Sequence, residues 1–376
     1  MKKIIAILVA LTMVVGLFAA CSSTTTEEEN TEKLTIVTTI FPIYDWVMQV
    51  LGDNADDYNV VMLMDTGVDL HSYEATADDL ITIYESDMFI YNGGESDEWV
   101  EDALENATNP DMVVIDLLVD VLGDDALMEV SVDGMQEEEE EDHDHDEDEE
   151  ETDAEEEDHD HDEDEDTTEA EEVTEEDEED HDHDEDETEE DEEEHEHSHE
   201  DEHIWLSLNN AQIFTSYLAD EFAALDADNA DTYTANADAY NTELAALDLE
   251  YAAVVEAGAF DTILFADRFP FRYLTEDYDI EYFAAFSGCS SETEASFETI
   301  TFLADKVDEL GLTSILIIDG ATTDIADTVI ANTATGDQEI LVLDSMQSIT
   351  AADIEDGASY LDIMTSNLEV LESALN

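Results

Sequence analysis

Short β-branched runs alternate with helical patterns along most of this chain. In the first half, residues 34–40, 60–64, 88–91 and 112–117 read as strands, with helical patterns at 43–51, 75–84 and 98–104. In the second half, 262–266, 280–284, 315–319 and 340–344 read as strands, separated by helical patterns at 271–278, 294–310, 324–332 and 353–375. Such alternation predicts an α/β protein with a small parallel sheet covered by helices in each half. Between the halves, Tyr233, Ala237, Tyr240, Leu244, Leu247, Tyr251 and Val254 recur at steps of four and three. That stripe predicts one helix with a single apolar face, about 32 Å long at ~1.5 Å per residue. A helix of this length joining two lobes would limit their relative motion; a coiled-coil dimer is the competing reading of the same stripe.

Residues 137–202 break the pattern. Of these 66 residues, 48 are Asp or Glu and 9 are His, with no aromatic residue, Leu, Ile or Met among them. Too little apolar surface is available there to offset the entropy of ordering, so the segment is expected to be a disordered insert. The remainder still carries 62 acids against 6 bases, within a formal net charge of −104 for the whole chain. Nothing in such a chain can neutralise phosphates, which excludes nucleic acid as a partner, and no basic patch is available for an anionic membrane surface. A multivalent cation is the partner that this charge suggests.

The N-terminus suggests a compartment. Lys2 and Lys3 precede an apolar run over residues 4–18, followed by Ala19-Ala20-Cys21 and a polar stretch. This is a charged region, a short apolar region and a small-residue cleavage site, too short for a comfortable membrane span. Leu17-Phe18-Ala19-Ala20-Cys21 resembles the lipobox of bacterial lipoproteins, which implies acylation of Cys21 and a location at the extracellular face of the membrane. The organisation expected is a signal peptide at 1–20, a tether at 21–33, a first lobe at 34–136, the insert at 137–202, the end of the first lobe at 203–228, the linking helix at 229–256 and a second lobe at 257–376.

Only two of the 11 histidines, His71 and His203, lie outside the insert. Both are placed near strand ends or where order resumes, and ligands in open α/β sheets bind beyond the carboxyl ends of strands. Neutral imidazole is a preferred ligand for zinc and manganese.

Around these residues the chain resembles a known family. Gly67-Val68-Asp69-Leu70-His71-Ser72-Tyr73-Glu74, with Asp87-Met88-Phe89-Ile90-Tyr91-Asn92-Gly93 behind it, is similar to the first metal-ligand block of the zinc- and manganese-binding ABC-transporter substrate-binding lipoproteins (the cluster A-I, zinc-type solute-binding family). His203-Ile204-Trp205-Leu206-Ser207 resembles their second block. Leu343-Asp344-Ser345-Met346, followed by residues 357–364 and Asn367-Leu368, resembles their last block and final helix. The resemblance runs from about residue 34 to the C-terminus, interrupted by the insert, which sits where zinc-specific members often carry a His/Asp/Glu-rich loop.

The resemblance implies two lobes joined by a rigid helix, with one metal in the cleft between them, handed to an ABC permease and its ATPase by a monomeric binding protein. His71, His203 and Asp344 would be ligands. At the third block the chain departs from the family: Asp267-Arg268-Phe269-Pro270-Phe271-Arg272-Tyr273-Leu274 places Arg268 where the family has His or Glu. A guanidinium does not ligate a cation, so Asp267 substitutes, or Asp319, or the site has three protein ligands plus water. Two imidazoles with carboxylates suit zinc or manganese. The insert favours zinc, because His143-Asp144-His145, His159-Asp160-His161, His181-Asp182-His183 and His195-Glu196-His197-Ser198-His199 form clusters suited to collecting it weakly. A solvated acidic tract is the plain alternative. Cys289, the one cysteine beyond Cys21, reads as a small apolar residue rather than a ligand. No Ser/His/Asp triad or Gly-rich phosphate loop is visible, so an enzyme is not expected. The rival function is a metal-buffering or adhesive surface lipoprotein that never docks to a permease.

Overall fold

The computed structural model describes residues 33–123, 132–136, 201–288, 290 and 294–376. Cys21, Cys289 and the nine histidines of residues 137–202 lie outside the described residues, as does the expected signal peptide at 1–20.

The first sheet contains β1 (Leu34–Thr38), β2 (Tyr58–Met62), β3 (Met88–Tyr91) and β4 (Val113–Asp116), all parallel, in the order β2-β1-β3-β4. Helices α1 (Phe41–Leu51), α2 (Ala77–Tyr84) and α3 (Trp99–Leu104) lie in the crossovers. After the insert come α4 (Leu208–Leu225) and α5 (Ala230–Ala257). The second sheet repeats the first: β5 (Thr262–Phe269), β6 (Glu281–Ser287), β7 (Ser314–Ile318) and β8 (Glu339–Leu343) are parallel in the order β6-β5-β7-β8. Its crossovers are α6 (Arg272–Asp277), α7 (Phe297–Leu310) and α8 (Asp324–Asn332). Helices α9 (Ala351–Glu355) and α10 (Tyr360–Ala374) close the chain. In each sheet the chain leaves the first strand toward one side and then crosses to the other, which places a switch point between β1 and β3 and between β5 and β7.

Side chains on a strand alternate between faces, and the core follows that rule. Ile36, Met88 and Ile90 point into a central core, while Val37 and Phe89 belong to a separate outer cluster. Likewise Ile263, Phe265, Leu316 and Ile318 face the centre, and Leu264, Ile315 and Ile317 face outward. The central core is shared by both lobes. Buried Trp46 of α1 meets Phe214 of α4 at 5.4 Å and Tyr360 of α10 at 5.2 Å between ring centroids.

The apolar stripe of α5 is buried from Tyr233 to Tyr251, against α1, α4 and α10 of the same chain. It is therefore an internal face rather than the seam of a coiled coil. Tyr251 fixes the far end, its hydroxyl donating to the Met364 carbonyl at 2.6 Å. Two elements differ from the sequence expectation. Helix α4 was not anticipated, although Ser207 caps it and Leu208, Ala211, Phe214, Leu218 and Phe222 form its buried face. The expected final helix is two, because Gly357 takes φ +100° between α9 and α10 and Ser359 caps a new start.

The lobes touch through the segments that follow the edge strands β2 and β8. Thr66 and Thr350 form an antiparallel bridge, and the Ala351 amide donates to the Asp65 carbonyl at 2.8 Å. Gly67 is required there: its φ is +74°, and a Cβ would lie 2.7 Å from the Ser348 carbonyl oxygen.

The stripe yields a paired test by denaturant unfolding. Leu244→Ala, at a position with no exposed surface, is expected to cost about 2–5 kcal/mol through lost burial and a cavity. Leu249→Ala on the same helix, at a position 71% exposed, should change stability by less than about 0.5 kcal/mol.

Candidate metal site

Two short turns bring the two histidines together. Buried Leu70 anchors the first turn, and the Asp69 carboxylate caps it by accepting from the His71 amide at 3.0 Å. The second turn follows His203, where Ile204, Trp205 and Leu206 are all buried. Residues of the second lobe pin this segment: Tyr273 donates its hydroxyl to the Asp201 carbonyl at 2.7 Å, and Tyr360 donates to the Trp205 carbonyl at 2.7 Å. Gly288, just after β6, packs on the His203 ring so closely that a Cβ would meet its Cε1 at 2.8 Å.

The result is a pair of imidazoles with Nε2 atoms 3.1 Å apart. His203 is fully buried, and its Nδ1 lies 2.8 Å from Asp201 Oδ1, which also accepts from the His203 amide at 2.8 Å. His71 Nδ1 lies 2.9 Å from Glu202 Oε1 and 2.8 Å from Ser96 Oγ. Glu202 in turn accepts from the Ser96 amide at 3.0 Å and from the Ser96 hydroxyl. Ionised carboxylates only accept, so each ring carries its proton on Nδ1 and turns the Nε2 lone pair toward the other ring. Two lone pairs at 3.1 Å repel unless a proton or a cation sits between them. Two nitrogens bound to one tetrahedral zinc stand about 3.3 Å apart for Zn–N bonds of about 2.0–2.1 Å, so the pair is spaced for that ion.

The surroundings are acidic. Burial alone would raise the pKa of Glu202, but the hydrogen bond and charge of His71 and the bonds from Ser96 outweigh it and hold the carboxyl below its usual value. Burial also works to raise Asp69, and the Arg268 guanidinium beside it, with His71, brings it below the usual range. Arg268 Nη2 donates to Asp69 Oδ2 at 2.8 Å, a contact between β5 of the second lobe and the His71 turn of the first. Next to Ser96 in the same short turn, buried Asp97 is pushed up to about 7 by desolvation, with the Gly93 amide opposing the rise and the Glu202 charge adding to it.

The expected carboxylate ligands lie elsewhere. Asp267 sits at the irregularity in β5, with its oxygens accepting from the amides of Arg268 at 2.8 Å and Ile318 at 3.2 Å. Asp319 accepts from the amide and hydroxyl of Ser345 at 2.6 and 2.8 Å, and from the Ser348 hydroxyl. Asp344 offers Oδ1 to the Met346 amide at 2.7 Å, and burial, together with the Asp319 charge, raises its pKa to about 6. Among the described residues, no group of three or more His, Cys, Asp or Glu is placed to hold a metal ion. The structure thus brings His71 and His203 together and leaves Asp344, Asp267 and Asp319 outside the pair.

Sequence reasoning assigned Asp201 and Glu202 to the end of the disordered insert. Both are instead ordered and buried, at 0% and 2% exposure, and they orient the two rings. Their only signal was position, immediately before His203 and an apolar run, and it was hidden by the acids preceding them.

A family model described as zinc-uptake complex component A, periplasmic, matches residues 36–374. The chain belongs to this zinc-uptake component A family. The zinc-binding lipoprotein AdcA of Streptococcus pneumoniae is 27% identical over 372 residues, covering 99% of this chain and 61% of that protein. The chain therefore spans less than two thirds of the length of that streptococcal relative. The high-affinity zinc uptake system protein ZnuA of Bacillus subtilis is 25% identical, covering 96% of this chain and 94% of its own length. The crystal structure of the Zn(II)-bound ZnuA-like domain of pneumococcal AdcA superimposes with a TM-score of 0.61 at 23% identity, covering 91% of this chain and 99% of that one. That likeness establishes for this family member the two-lobed fold with a parallel sheet in each lobe.

Asp97 gives the site a pH dependence of stability. Its folded pKa of about 7 lies above the ordinary carboxyl value of 3.8, so the folded state holds the proton more tightly. The burial penalty is fully present above pH ~7 and is relieved as pH falls toward ~4. Asp97→Asn is expected to stabilise the protein at pH 8 by on the order of 1–3 kcal/mol and to have little effect near pH 4, as measured by denaturant midpoints across that range.

Proposed function

We propose that this protein is the extracytoplasmic binding component of a zinc ABC uptake system, capturing the ion between His71 and His203 and delivering it to a permease and its ATPase. The observation that carries the reading is the 3.1 Å separation of two Nε2 lone pairs whose outer nitrogens are tied to buried carboxylates. A carboxylate behind each ligating imidazole fixes the tautomer and raises its basicity, an arrangement common to zinc sites. Membership of the zinc-uptake family and the names of the relatives support the same cargo. Zinc rather than manganese fits a site led by two imidazoles, since manganese favours more oxygen ligands.

Asp344 is the proposed third ligand. Its Oδ1 accepts from the Met346 amide at 2.7 Å, and Oδ2 is the atom proposed to face the cation. Asp267 and Asp319 serve instead as braces for the strand ends, where their oxygens are already engaged. The protein is a monomer held at the outer face of the membrane by acylated Cys21; among the described residues, no helix is long and apolar enough to cross a membrane. Its role is binding rather than catalysis, with the insert histidines as weak collectors of zinc.

Titration calorimetry on protein lacking residues 138–198 tests this reading. One tight zinc site should remain, and His71→Ala with His203→Ala should abolish it. Asp201→Ala should weaken zinc by about 10–100-fold without removing the site, because it frees the His203 ring rather than a ligand. Loss of the tight site on deletion of the insert alone would place the binding site in the insert and contradict the assignment.

A further inference from the structure

The segment that carries His71 belongs to the first lobe, and the second lobe holds it at two separate points. The first is backbone: the Ala351 amide donates to the Asp65 carbonyl at 2.8 Å, beside the Thr66–Thr350 bridge. The second is ionic. Asp69 Oδ2 lies 2.8 Å from Arg268 Nη2 at the end of β5, while Oδ1 of the same carboxylate accepts from the His71 amide at 3.0 Å. One side chain therefore caps the His71 turn and also receives a cation from the other lobe. A carboxylate engaged at both oxygens by charged and backbone donors is fixed in rotation, so the turn and the strand are held in one register.

His203 is tied to the second lobe by uncharged contacts. Tyr273 and Tyr360 donate to the carbonyls beside it, Gly288 packs on its ring, and the Trp205 indole donates to the Ser345 carbonyl at 2.9 Å. For the His71 turn the charge balance explains why an ion pair is used. Asp69, Asp201 and Glu202 gather around the two rings, in a chain with only six basic residues. Like charges resist being held together, and a guanidinium on the facing lobe offsets that repulsion. Arg268 and Asp69 are only 24% and 23% exposed, so salt screens them less than a surface pair. A metal ligand at this position would join the lobes only through the ion, whereas the guanidinium joins them directly.

We propose that Arg268 is a positioning residue that forms an ionic latch, holding the His71 turn against the second lobe through Asp69 independently of the metal. The latch keeps the first histidine in place before zinc enters, which lowers the ordering cost of binding and slows release. The inference deepens the zinc-binding reading and rests on His71 being a ligand. The competing role for Arg268, a bare positive charge beside the site, predicts the opposite sign: a cation near a divalent ion weakens its binding, so removing that charge would tighten zinc.

The test begins with zinc-free, full-length protein. Hydrogen exchange is followed by NMR at the His71 and Ala351 amides, with the buried strand β1 as a control for global stability. Arg268→Gln should speed exchange at His71 and Ala351 by about tenfold and leave β1 unchanged, as expected for loss of one charge-assisted hydrogen bond. Arg268→Lys, which keeps the charge and can keep the single contact, should retain most of the protection. Asp69→Asn, which keeps an acceptor for the His71 amide but loses the charge, should speed exchange at Ala351, and adding Arg268→Gln to it should have no further effect. The Lys and Asn variants keep the latch measurable if Arg268→Gln does not fold. In a second arm, chelator competition should show Arg268→Gln releasing zinc about tenfold faster and binding it more weakly. Unchanged exchange in Arg268→Gln, exchange raised equally in β1, or tighter zinc binding in that variant overturns the latch. Tight zinc binding that survives in the His71→Ala, His203→Ala protein overturns the site assignment instead, a failure that the zinc-free exchange keeps distinct from failure of the latch.

Discussion

The constraint on which the site depends is the pairing of each imidazole with a buried carboxylate behind it. Asp201 holds His203 and Glu202 holds His71, and these neighbouring residues both precede the second histidine directly. Isolated buried carboxylates are costly, so each needs a donor, and the two rings provide them through Nδ1, on the side away from the other ring. Satisfying the acids in this way fixes both tautomers and leaves two lone pairs converging. The remainder of the site follows from that geometry: the Ser96 turn that completes Glu202, the Asp69 cap that sets the His71 turn, and the tyrosines that clamp the 201–206 segment from the second lobe.

The fold supplies the rigidity this arrangement needs. Helix α5 runs through a core common to both lobes, with α4 and α10 packed against it, so the lobes share buried side chains rather than meeting at a loose hinge. Preorganised ligands bind with less loss of freedom than ligands ordered by the metal itself. The segments that follow the edge strands β2 and β8 bring the lobes into contact, where Thr66 meets Thr350.

Much of this was legible in the sequence, for identifiable reasons. Strands and crossover helices were visible because apolar side chains must alternate on a strand and recur every third or fourth residue on a helix. The α5 stripe was visible because six of its seven positions are buried without interruption. Helix α4 escaped because Asn209, Asn210 and Gln212 dilute its first turn with polar residues while its apolar face is spread along the element. The histidines stood out by scarcity outside the insert. Asp201 and Glu202 did not, because burial is invisible in a run of like residues, and these two are enclosed at the end of a tract of the same two letters. Arg268 was recognised as a departure at a ligand position, but its contact with Asp69 joins residues 199 apart in sequence, and only the folded chain reveals it.

The central claim is that one cation is held jointly by His71 and His203. Anomalous diffraction at the zinc edge, from crystals of the zinc-loaded protein, measures this directly. The account predicts a single strong peak between the two rings, about 2.0–2.1 Å from each Nε2 atom. A peak bonded to neither histidine, or to one of them alone, would contradict it.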